Sequence, residues 1–141
     1  MVVAVLALVG ALVSLYLLLY KLGVVGTLIC GPGGGCERVQ ASTWSSLLGI
    51  PVAAFGVAGY VVLLAIALYG LRAEQLDRPD ATRWLAGLSA LGFLFSLYLL
   101  GLELFVIHAV CRWCTASGLI IAAICAVSIV GLRRPSRAPA P

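Results

Sequence analysis

The chain is expected to be an all-α integral membrane protein: a four-transmembrane-helix bundle with a short amphipathic half-helix in its first extracytoplasmic loop. Three observations predict this. Of 141 residues, 63% are hydrophobic and 10% are charged, whereas a soluble domain carries about 25% charge. The mean hydropathy is +1.17, which leaves too little polar surface to face water. Apolar runs of about 20 residues, the length that crosses a hydrocarbon core, recur along the chain.

The first run, Val2 to Tyr20, contains no charge. It lacks the basic n-region and A-x-A-like site of a signal peptide, so it is expected to remain as a span. The second, Pro51 to Leu71, is also uncharged and opens on a proline, which the first turn of a helix tolerates. The third, Trp84 to Ile107, contains only Glu103, and the fourth, Trp113 to Leu132, is uncharged. One domain, residues 1–132, is expected, followed by a basic, proline-bearing tail, residues 133–141.

Basic residues orient such a bundle. Arg72, Arg78 and Arg83 lie between spans two and three, and Arg133, Arg134 and Arg137 follow span four, against Lys21, Arg38 and Arg112 elsewhere. The richer side is expected to be cytoplasmic, with both termini there, in an inner (plasma) membrane. The net charge of +4 is therefore a topology signal, and no nucleic-acid partner is expected. Loops one and three then share the outer face, where disulfides persist. In the long first loop, Ser42 is a good N-cap and Gly49 a helix stop. Trp44, Leu47 and Leu48 fall at i, i+3 and i+4, which predicts an interfacial helix roofing the bundle.

Five cysteines are present. Cys111 and Cys114 form CRWC at an outward helix start. There the helix N-terminus and Arg112 favour a thiolate, a setting for redox exchange rather than inert packing. Cys30 and Cys36 bracket a glycine- and proline-rich loop that can act as a mobile redox pair or as a structural staple; a staple in so short a loop removes little unfolded-state entropy. Four thiolates binding zinc is a third reading, in which the protein is not catalytic. Cys125, near the middle of span four, is expected to pack as a small apolar residue. Glu103 is an intramembrane acid: a proton route, or a partner for Arg112 or Arg38, or an interfacial carboxylate that reaches water. His108 is either a proton donor or a headgroup-level polar residue.

A further pattern runs through these residues: a cysteine pair in a long first loop, Ser42 six residues after Cys36, then Gly49, Ile50 and Pro51, then ELFVIHAVCRWC closing the third span. This resembles the bacterial homologues of vitamin K epoxide reductase, the VKOR family, over all but the tail. The resemblance implies a quinone-linked membrane oxidoreductase acting on thiols, with ubiquinone or menaquinone as acceptor and no metal. It implies that Cys30 takes electrons from a periplasmic thioredoxin-like, DsbA-like protein, that Cys36 relays them to Cys111, and that Cys114 faces the quinone. Ser42 would cap the half-helix, with Trp44 beside it; Trp44, Leu47, Phe55 and Cys114 are the expected quinone contacts, with Arg112, Glu103 and His108 in support. Many bacterial members carry a fused thioredoxin-like domain; here the partner is expected to be separate. The animal enzymes have a tyrosine where this chain has Gly118, so quinone reduction is expected ahead of vitamin K epoxide reduction. The DsbB type of oxidase has its CxxC in the first loop and its wide pair later, the reverse of this order.

Overall fold

Uncharged runs fold as helices in lipid because the backbone must satisfy its own hydrogen bonds there. In the computed structural model, which describes residues 1–72 and 79–134, four such helices are long and apolar enough to cross a membrane. Helix α1 is Val2–Lys21, α2 is Gly35–Ala41, α3 is Val52–Gly70, α4 is Pro79–Leu102 and α5 is Arg112–Arg133. A π-helical turn, Glu103–Ile107, prolongs α4. Arg78, Arg137 and residues 135–141 of the expected tail lie outside the described residues.

The bundle closes as a ring: α1 packs mainly on α3, α3 on α4, α4 on α5, and α5 back on α1. The buried stripe of α1 is Ala4, Ala7, Gly10, Ser14 and Leu17. These residues are mostly small, and they bring backbones together where lipid offers no hydrophobic drive to association. The ring of Tyr60 lies where a Cβ at Gly10 would stand, and Ser14 Oγ is 2.8 Å from the place of a Cβ at Gly56. Both glycines are thus required by the close approach of α1 and α3. Large apolar side chains such as Leu12, Leu91 and Leu94 are exposed, as a surface bathed in acyl chains requires. Cys125 is buried on α5 between Ile124 and Ser128.

Two elements differ from expectation. Helix α4 begins at Pro79, earlier than Trp84. Hydropathy ends where the hydrocarbon ends, but proline suits a helix start, and Asp80 and Arg83 pair across this turn at 3.8 Å.

The half-helix of loop one is also displaced. It spans Gly35–Ala41 rather than Ser42–Gly49. Ser42 sits at its C-terminal end, donating from Oγ to the Val39 carbonyl at 2.6 Å. A serine hydroxyl can close a helix by donating as well as open one by accepting, and the sequence pattern does not distinguish the two. Thr43–Ser45 form a single 3₁₀ turn. A two-residue hairpin follows, pairing Ser46 with Pro51 and Leu47 with Ile50. Leu48 and Gly49 at its tip both have positive φ, 54° and 81°, the geometry of the tight turn that matches strand twist.

Candidate functional site

The end of the bundle formed by the α1 C-terminus and the α3 and α5 N-termini carries all four paired cysteines. Cys30 and Cys36 are joined in a disulfide, with Cα atoms 6.1 Å apart, while Cys111 and Cys114 are free thiols. All four belong to one apolar cluster with Leu17, Leu28, Val39 and Ala109. Within it Cys36 and Cys111 are sealed, at 1% and 0% exposure. Cys30 and Cys114 are only half-buried.

Each pair is held by its own local chemistry. Gly34, with φ 59°, turns the chain into α2. Gly35 then lies so close to the Val110 carbonyl that a Cβ would collide with it, which sets α2 against the segment leading to Cys111. The loop strand before Cys30 is tied down from two helices. The indole N–H of Trp113 donates to the Ile29 carbonyl at 3.0 Å. The Tyr16 hydroxyl accepts from the Ile29 N–H at 3.3 Å. The two rings pack at 5.1 Å between centroids. Lys21 closes the far end of α2, its Nζ 2.5 Å from both the Gln40 carbonyl and Ser45 Oγ, where a cation complements the helix C-terminus.

Cys111 is the N-cap of α5. Its sulfur accepts from the Cys114 N–H at 3.3 Å, as a capping oxygen would, and its carbonyl accepts from the Thr115 N–H at 2.9 Å. The hydrogen bond from the Cys114 thiol, aided by the N–H groups of Cys114 and Trp113, holds the Cys111 thiol below the ordinary thiol range, against burial and the Glu103 charge.

The π-turn sets Glu103. Buried at 4% exposure, its Oε2 accepts from the Cys111 N–H at 3.0 Å. The alternative of an interfacial carboxylate reaching water does not describe it, and among the described residues it forms no ion pair with Arg112 or Arg38. Arg112 is exposed and lays its guanidinium over Gly31 in the cysteine loop. His108 has φ 54°, its Nδ1 is 3.2 Å from the Val106 carbonyl, and its ring is exposed.

Below the cysteines lies a cavity of about 760 Å³, between α3 and α4 and backed by α1 and α5. Trp44, Leu47, Phe55, Cys114, Ser42 and Glu103 line it. Leu91 and Leu97, which also line it, are exposed, so the cavity is open rather than sealed. Deeper in, the Tyr60 hydroxyl donates to the Ser117 carbonyl at 2.6 Å. The volume and apolar wall suit a small, largely apolar ligand.

Tyr16, Lys21, Gly35, Tyr60 and the indole of Trp113 were not singled out by sequence. Only Lys21, a solitary charge at the end of an apolar run, and Trp113, inside CRWC itself, left any signal there. Residues 1–129 match the model of the Vitamin K epoxide reductase family, VKOR, a stretch that takes in all five cysteines and most of α5. The chain therefore belongs to the vitamin K epoxide reductase family, a family of membrane oxidoreductases.

Proposed function

We propose that the protein re-oxidises a separate thioredoxin-like, DsbA-like protein and passes the electrons to a membrane quinone, supporting disulfide formation outside the cytoplasm. Cys30 receives electrons through a mixed disulfide, Cys36 hands them to Cys111, and Cys114 delivers them to the quinone. The cysteine end of the bundle faces outward and both termini face the cytoplasm, as the arginine distribution favours.

The observation that carries this reading is the order of accessibility. Cys30 is half-buried in the loop and Cys114 half-buried on the cavity wall, while Cys36 and Cys111 are sealed in the same apolar cluster. Thiol–disulfide exchange proceeds by thiolate attack on a neighbouring sulfur, and this arrangement supports a relay with one aqueous and one lipid terminus. Ubiquinone or menaquinone, held by Trp44, Leu47 and Phe55, would supply a two-electron, two-proton acceptor.

The test is quinone reduction by purified protein with a reduced thioredoxin-like donor. Wild type turns over, Cys114→Ala is inactive with every donor, and Cys30→Ala works only with a small dithiol. Absence of quinone-dependent turnover together with one zinc per chain would make the thiols a metal site instead.

A further inference from the structure

Two-electron reduction of a quinone by a dithiol also moves two protons, and a cavity walled by hydrocarbon must supply a route for them. Among the described residues, Glu103 is the only charged side chain on the cavity wall. An acid buried in a membrane protein is costly to keep and marks an ion or proton path more often than packing. The π-turn that carries Glu103 is a backbone form that occurs frequently at functional sites. Here it presents the carboxyl beside the CxxC: Oε2 takes the Cys111 N–H at 3.0 Å, and Glu103 and Cys114 line the same cavity.

The other titratable groups nearby are engaged elsewhere. Lys21 is bound to Gln40 and Ser45, Arg112 lies over Gly31, and the His108 ring faces the Val106 carbonyl. Tyr60, deeper in the cavity, is bonded to Ser117. Cys111 and Cys114 are the titratable groups that face Glu103.

We propose that Glu103 is the proton relay of the quinone-reducing step, taking the proton of the Cys114 thiol and returning it to a quinone oxygen. The balance is complete. The S–H bonds of Cys111 and Cys114 break and one S–S bond forms between them. The electron pair goes to the quinone, and the two protons go to its two oxygens, the Cys114 proton by way of Glu103. The carboxyl ends each cycle as it began. Oε2 meanwhile fixes the backbone of Cys111, so one group both sets the geometry and moves the proton.

This rests on the quinone-reductase reading above, and the test separates the two. Glu103→Gln keeps an oxygen for the Cys111 N–H and loses only the ability to carry a proton. With a small dithiol donor and a short-chain quinone, kcat is expected to fall about a hundredfold, with KM within about twofold and the wild-type pH profile flattened. Exchange between Cys30–Cys36 and Cys111–Cys114, measured without quinone, does not fall below the wild-type rate, because losing the carboxylate charge favours the Cys111 thiolate. Glu103→Asp recovers part of kcat and of the pH profile. A Glu103→Gln protein with wild-type kcat and pH profile overturns the relay, and so does one in which exchange between the pairs falls as far as quinone reduction, since that is a structural loss. Failure of the wild type itself to reduce quinone would instead sink the oxidase reading.

Discussion

Trp113 and Ile29 lie 84 residues apart in sequence and are joined by a hydrogen bond from the indole N–H to the carbonyl, 3.0 Å long. One of these residues lies inside the CxxC and the other immediately precedes Cys30, so this bond sets one dithiol pair against the other. Trp113→Phe keeps the ring and removes the donor. Exchange between the two pairs is expected to slow about fivefold, matching a bond worth ~1 kcal/mol. Rapid acid quenching followed by counting free thiols measures it.

The depressed Cys111 thiol gives a pH dependence with a definite sign. In the reduced protein its thiolate absorbance should appear at lower pH than that of an ordinary thiol, about 8.5. Because the folded value lies below the unfolded one, the stability the thiolate contributes is fully present above the ordinary value. It is lost as pH falls through the depressed one. The Cys114 thiol is the chief cause, so Cys114→Ala should move the Cys111 titration upward. An unmoved titration would assign the depression to the helix N-terminus.

Gly35→Ala places a methyl group on the Val110 carbonyl. Overpacking of this kind costs about 1–3 kcal/mol, and it should push α2 away from Cys111. A lower Tm together with slower exchange between the pairs is the expected outcome, read by thermal unfolding in detergent and by thiol counting.

Lys21→Met retains length and loses the contacts that close the C-terminal end of α2. A charged hydrogen bond there is worth about 2 kcal/mol. Amide exchange in α2 should accelerate while that in α3 is unchanged.

Gly118 lies on the cavity wall, and a Cβ there would first meet Ser96 at an ordinary 3.7 Å. Alanine should be accepted. Gly118→Leu should extend into the cavity and raise the KM for quinone about tenfold, with exchange between the pairs unaffected. Steady-state kinetics with varied quinone distinguishes this from misfolding.

The spans were legible because lipid imposes one rule on every residue of a run, and Val2 to Tyr20 or Val52–Gly70 carry no charge at all. The extra first turn of α4 was not, because it stands outside the apolar run. The half-helix was misplaced because Gly34 and Gly35 carry poor helix propensity, yet α2 starts there, held by tertiary contact with Val110. Ser42 and Ser45 offer hydroxyls that serve either end of a helix. The depth of Glu103 was hidden as well. A π-turn is a change of backbone register, without a composition of its own, and it alone turns the carboxyl inward to Cys111. Tyr16 and Lys21 went unnoticed because most of what they bind is main chain far along the sequence.

The tethering of the loop strand also limits how another protein can meet it. Ile29 spends its N–H on Tyr16 and its carbonyl on Trp113, and the Cys30 N–H is given to the Leu28 carbonyl. The Thr27 carbonyl faces the Tyr16 hydroxyl at 3.5 Å. An incoming chain would therefore find few free donors and acceptors on the upstream side of Cys30 for strand addition, a common way for an extended peptide to dock. Recognition there falls to side chains, with Ile29, 81% exposed, the most prominent. Such a contact would be broad in tolerance and easily released, as the proposed thioredoxin-like partner would need once its sulfurs are joined.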